Sequence, residues 1–143
     1  MRSVAGRGQE SFLVVVGLDD GDKTSQCVCR ISLERPDRVS TIDSTPARVN
    51  EGAAACVMGN TLYAVGIGDE DKELWKWNAT SDWTRCADMT SSRYYHCAAV
   101  VDSTLYALGG WAEAGETALR SVDPYNTQTD KWSAAGQLTH AVN

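Results

Sequence analysis

Short apolar runs, broken by Gly, Asn and Asp and without a 3.6-residue period, follow one another along this chain and predict β-strands rather than helices. Leu62-Tyr63-Ala64-Val65-Gly66 returns 43 residues later as Leu105-Tyr106-Ala107-Leu108-Gly109, and each copy follows a small apolar run, Ala53 to Met58 and then Ala98 to Val101. A third, weaker copy is Phe12-Leu13-Val14-Val15-Val16-Gly17. Such self-similarity marks a repeat architecture, with four strands per unit. In the best copy the strands A to D fall near 96–101, 104–109, 119–122 and 131–134. In the second copy they fall at 53–58, 61–66, 73–78 and 82–86, and in the first only B (12–17), C (27–32) and D (38–43) are visible.

Both full copies carry an aromatic followed by a Trp, namely Trp77 and Trp83, then Tyr125 and Trp132. A small sheet cannot bury both faces alone, so large flat side chains recurring once per unit, with Tyr63 and Tyr106, are expected to pack units together. Gly66 and the pair Gly109-Gly110 end strand B, where a side chain would obstruct the backbone. The extra residues of the third unit fall after that glycine, which predicts a surface loop.

The composition is that of an ordinary globular domain: 143 residues, 43% hydrophobic and 22% charged. Thirteen Lys and Arg against nineteen Asp and Glu give a net charge of −6 with no basic run, which argues against nucleic acid or an anionic membrane as partner. The longest strongly apolar stretch, Phe12 to Val16, is far too short to span a bilayer, and the Met1 to Glu10 segment does not read as a secretory signal. A cytoplasmic chain is expected. Five cysteines, Cys27, Cys29, Cys56, Cys86 and Cys97, form no C-x-x-C pair and read as buried free thiols. Asn78-Ala79-Thr80 matches a glycosylation acceptor that would go unused inside the cell.

Hydrophobic run, turn, Leu-Tyr-x-x-Gly-Gly, variable loop, Tyr and then Trp resembles the kelch repeat. The segment Arg120 to Trp132 is similar to repeats of the BTB-kelch adaptor proteins. The departures are Gly66-Ile67-Gly68 in the second copy, Gly17-Leu18 in the first, and Val39 where the first copy should have Trp. The resemblance implies an all-β fold of about three four-stranded kelch blades, at 11–44, 48–89 and 93–138, an incomplete β-propeller. It also implies a fragment of a longer polypeptide, one without the BTB and BACK domains that precede the propeller in such adaptors; a truncated gene model or half of a dimeric ring are the alternatives. Open blade edges would favour self-association.

What the resemblance implies for function is a protein-interaction module, holding a protein substrate while a BTB domain engages a cullin-type ubiquitin ligase. An actin-binding or cytoskeletal scaffold is the alternative. A kelch-type copper oxidase would need several His ligands, and only His96 and His140 are present, so neither an enzyme nor a bound metal or cofactor is expected. The candidate partner-binding residues are of two kinds. Arg93, and less well aligned Arg48, stand in D–A connections where an Arg could grip a carboxylate or phosphate. Acidic B–C loops carry Asp19, Asp20 and Asp22, then Asp69, Glu70 and Asp71, then Glu113 and Glu116 beside an exposed Trp111, and together would attract a basic motif.

Overall fold

The computed structural model describes residues 12–18, 26–32, 39–49, 52–78, 80–112 and 117–141, with side chains from residue 45 onward. The described residues are all-β, arranged in antiparallel sheets, and no helix occurs among them. The chain therefore has no described helix long and apolar enough to cross a membrane. Asp19, Asp20, Asp22, Glu113 and Glu116 lie outside the described residues. Two compact units divide it, Met1–Val49 and Asn50–Asn143.

The first unit is a three-stranded antiparallel sheet in the order β1 (Phe12–Leu18), β2 (Gln26–Ser32), β3 (Val39–Ser44). Val15 stands opposite Cys29, and a register shift at Val28/Cys29 interrupts the pairing of β2 with β3. These strands fall within a residue of the positions that alternation predicts.

The second unit holds two blades. The first of them is β4 (Ala54–Met58), β5 (Thr61–Ile67), β6 (Glu73–Asn78) and β7 (Ser81–Arg85), paired in sequence order. The other begins with β8 (Cys97–Val101) and β9 (Thr104–Leu108), joined by Asp102-Ser103 with φ of 47° and 65°, the paired positive angles of a type I′ turn. A small hairpin follows, β10 (Trp111–Ala112) with β11 (Thr117–Ala118), where the repeat predicts only loop. β12 (Ser121–Asn126) then pairs with β9 on one side and, on the other, with β13 (Lys131–Trp132) and β14 (Gly136–Gln137).

β12 runs further than the 119–122 expected, because Pro124 does not end it. Pro124 stands opposite Tyr106, and its carbonyl accepts from Ser133 N–H at 3.0 Å. The N–H it lacks would point to the same outer side, where the regular pairing is interrupted between Trp132 and Gly136.

Alternation along the strands decides which residues meet. The central cluster between the two blades joins Cys56, Tyr63, Val65, Leu74, Cys86 and Met89 to Leu105, Ala107 and Tyr125. Leu105 and Ala107 are the repeat equivalents of Leu62 and Ala64, which lie on the opposite pleat from Tyr63 and Val65. Each blade thus offers the core a different face of the same motif. Tyr63 and Tyr125 meet edge to face at 6.5 Å, and Trp132 lies 5.2 Å from Tyr125 while donating Nε1–H to Ala87 O at 2.8 Å. Asp130 closes the junction by accepting from Ala87 N–H at 2.8 Å and the Tyr125 hydroxyl at 2.7 Å, which holds its carboxyl below the usual range. Trp83 is half-buried on the otherwise exposed β7, 6.4 Å from Trp77. Cys56 and Cys86 are buried free thiols, and burial pushes Cys56 up to about 12. Cys97 departs from the expectation: as the first residue of β8 it is exposed, while the next residue, Ala98, packs on the core.

Candidate protein-interaction site

Strands that alternate in direction bring the B–C connections and the D–A connection to one edge of the second unit, and backbone bonds tie them together. β5 ends through Gly66 at φ 72°, and the turn after it runs through Gly68 and Asp71, with φ of 85° and 49°, where Asp71 N–H donates to Gly68 O at 3.2 Å. The D–A segment, residues 86–96, returns beneath it: Met89 N–H reaches Lys72 O at 2.8 Å and Arg93 N–H reaches Asp71 O at 3.1 Å. Tyr94 then pairs with Trp111 of β10, N–H to O in both directions at 2.9 and 2.8 Å. Three connections that are distant in sequence become one corner.

Arg93 is corrected by this arrangement. It is 1% exposed, so it can grip no outside anion. Its guanidinium donates to Gly109 O at 3.0 Å, to Ser121 Oγ at 2.6 Å and to the buried Asp123 carboxylate, with which it forms an ion pair. The physical reason is desolvation: an arginine drawn between blades needs a carboxylate and carbonyls around it, and β12 supplies them. Gly110 leaves room for the segment that carries Arg93. A Cβ on Gly110 would stand 2.5 Å from Tyr94 O and 2.8 Å from His96 Cβ.

Asp71 is likewise internal, 3% exposed, and bonds the Tyr94 hydroxyl, raising that phenol above its ordinary value. The side-chain charges left outside on this turn are Asp69, Glu70 and Lys72, and Lys72 is ion-paired to Glu70. Trp111 is half-buried rather than exposed, because its strand is bridged to Tyr94. Arg48 is exposed but belongs to the first unit. It lies six residues before β4, where Arg93 lies four before β8.

His96 is buried at 7% exposure, its ring against Gly66, where a Cβ would come within 2.5 Å of Cε1. Among the described residues neither ring nitrogen has a hydrogen-bond partner in good geometry. Burial first, and the Arg93 charge second, push the imidazole down to about 4, partly offset by the Arg93 backbone. Among the described residues no group of three His, Cys, Asp or Glu could hold a metal ion.

Tyr95 is the residue that motif reading passes over. It is 53% exposed and has φ of 52°, a left-handed backbone that strains a bulky side chain by roughly 1–2 kcal/mol. The 43-residue shift that superposes the strands A places it on Gly52, whose φ is 84°. That equivalence was available in the sequence as a glycine facing a tyrosine.

Residues 92–139 match the Kelch motif. The chain is 30% identical over 107 residues to human Kelch-like protein 35, covering 74% of this chain and 18% of that protein. It is 27% identical over 139 residues to human Kelch repeat and BTB domain-containing protein 4, covering 95% of this chain and 25% of that protein. With human Kelch-like protein 38 the identity is 33% over 96 residues, 65% of this chain and 16% of the relative. The chain therefore spans a quarter or less of the length of these relatives.

Proposed function

From the premise that the chain is a partial kelch-repeat protein of the BTB-kelch type, a protein-interaction module, we propose that it is the substrate-holding part of a cullin-RING ubiquitin ligase adaptor acting in the cytoplasm. In that reading a BTB domain outside these residues engages the cullin, and the corner built from residues 68–72, 93–96 and 111–112 receives a protein partner. One observation carries the choice of partner: the arginine that could have gripped an anion is internal, and Asp69 and Glu70 stay exposed. With Lys72 paired to Glu70, the corner offers surplus negative charge to a basic segment. Trp111, half-buried beside it, adds apolar area at the centre.

The test is the double reversal Asp69→Lys/Glu70→Lys. It should slow association of a fluorescein-labelled oligo-lysine peptide and flatten the salt dependence of the rate, both read by stopped flow at low and physiological salt. An unchanged rate and slope would overturn the acidic-corner reading. Asp71 is left intact because it is a buried structural carboxylate.

A further inference from the structure

We propose that Asp71 and Tyr94 form a latch through which the turn after β5 and the β10–β11 hairpin open and close together. The inference holds whatever the charge of the partner. Asp71 grips the D–A segment twice: its carbonyl accepts from Arg93 N–H at 3.1 Å, and its carboxylate accepts from the Tyr94 hydroxyl. Tyr94 is in turn bridged to Trp111 through both backbone groups, its N–H donating at 2.9 Å and its carbonyl accepting at 2.8 Å. One residue thus has its hydroxyl on the first blade of the second unit and its backbone on the hairpin of the other.

Desolvation makes the linkage all-or-none. Asp71 is 3% exposed, so its carboxylate has exchanged water for protein donors. If Tyr94 swings away, the carboxylate loses a charge-assisted bond in a place that water scarcely reaches, and the turn from Gly68 to Lys72 must open to hydrate it. The hairpin is bound to the same event from the other side. It has two residues in each strand, Trp111 opposite Ala118 and Ala112 opposite Thr117, and a two-stranded ribbon of that length does not hold itself in water. Its base is closed where Leu119 N–H donates to Gly110 O at 2.7 Å, and beyond that base the Tyr94 bridge attaches it to the D–A segment. Displacement of Tyr94 therefore releases both connections, and a ligand that steadies one of them steadies the other by the same factor.

Four amides report on the latch, those of Asp71, Arg93, Tyr94 and Trp111, which donate to the carbonyls of Gly68, Asp71, Trp111 and Tyr94 in that order. Their hydrogen exchange is read one amide at a time by NMR on the full chain, with the amides of β5 and β9 as the reference. In the parent the four should exchange through one common opening, faster than the reference strands. Tyr94→Phe keeps the ring and the backbone and deletes only the hydroxyl. It should speed all four by about tenfold to a hundredfold and leave β5 and β9 unchanged. Adding Asp71→Asn to Tyr94→Phe should return most of the protection, because no charge is left to hydrate and asparagine accepts the left-handed φ of 49°. If Tyr94→Phe sped the Asp71 and Arg93 amides but left Trp111 as in the parent, the connections would open independently and the latch would be overturned. Equal acceleration of β5 and β9 would overturn it as well, since Tyr94 would then serve only global stability. A double variant no better protected than Tyr94→Phe would remove the desolvation on which the proposal stands. No readout here involves a partner, so the acidic-corner reading is tested separately.

Discussion

The two blades of the second unit share register, turn positions and core motif, yet they treat the entrance to strand A differently. Before β4 the chain uses Gly52, a glycine with nothing to present; before β8 it uses Arg93, Tyr94, Tyr95 and His96, of which one is exposed and two are buried polar residues. After strand B the first blade closes directly through Gly68 and Asp71, while the second inserts the β10–β11 hairpin. Where the blades agree, the fold dictates the residue. Where they differ, the second blade has added an internal ion pair and an outward tyrosine to the same frame.

The largest break in that comparison should come from Arg93→Ala. It leaves Asp123 buried without a counter-ion and Gly109 O without its donor, and stability should fall by about 3–5 kcal/mol in denaturant unfolding. Replacing both partners, Arg93→Met with Asp123→Leu, should recover most of the loss, because the uncompensated charge is gone. A double variant no better than the single would show that the carbonyl bonds, not the ion pair, hold the connection.

Trp132→Ala comes next, at about 3 kcal/mol, since it removes an aromatic packed on the core together with the Nε1–H bond to Ala87. Trp83→Ala should cost only about 1 kcal/mol, the scale of an aromatic pair, because Trp83 is half-exposed on the outermost strand. Motif reading treats these two tryptophans as equals. Thermal melts of both variants side by side would show whether the repeat or the burial governs.

His96 gives a pH test that the glycine-lined entrance of the other blade lacks. Folded, the imidazole stays neutral down to about 4; unfolded, it takes a proton near the ordinary value of 6.5. Between those values the unfolded chain holds more protons, so stability falls as pH drops, by roughly 2–3 kcal/mol over the window. His96→Leu should flatten that part of the profile. An unchanged slope in the variant would assign the acid sensitivity to other groups.

Strands of five to seven residues were legible because burial of one face imposes alternation, which is a local pattern: β5 and β9 stand where Leu62 to Gly66 and Leu105 to Gly109 place them. The two-residue strands β10 and β11 were not, since two residues cannot display a period. Arg93 was misread because Ser91-Ser92-Arg93 is a polar stretch that reads as a solvated loop, whereas its carboxylate partner lies 30 residues on. Asp71 was misread for the same reason, sitting among acidic neighbours that do face water. The continuation of β12 through Pro124 escaped because its tolerance depends on a gap in the pairing of the neighbouring strand.

By itself the sequence determined the strand positions, the glycine turns and the repeat, all properties that neighbouring residues settle among themselves through pleat and backbone angle. Only the tertiary structure decided which charges face water. Burial of Arg93 and exposure of Tyr95 depend on where β12 and the D–A segment come to lie, and no local pattern encodes the desolvation that a distant carboxylate must offset.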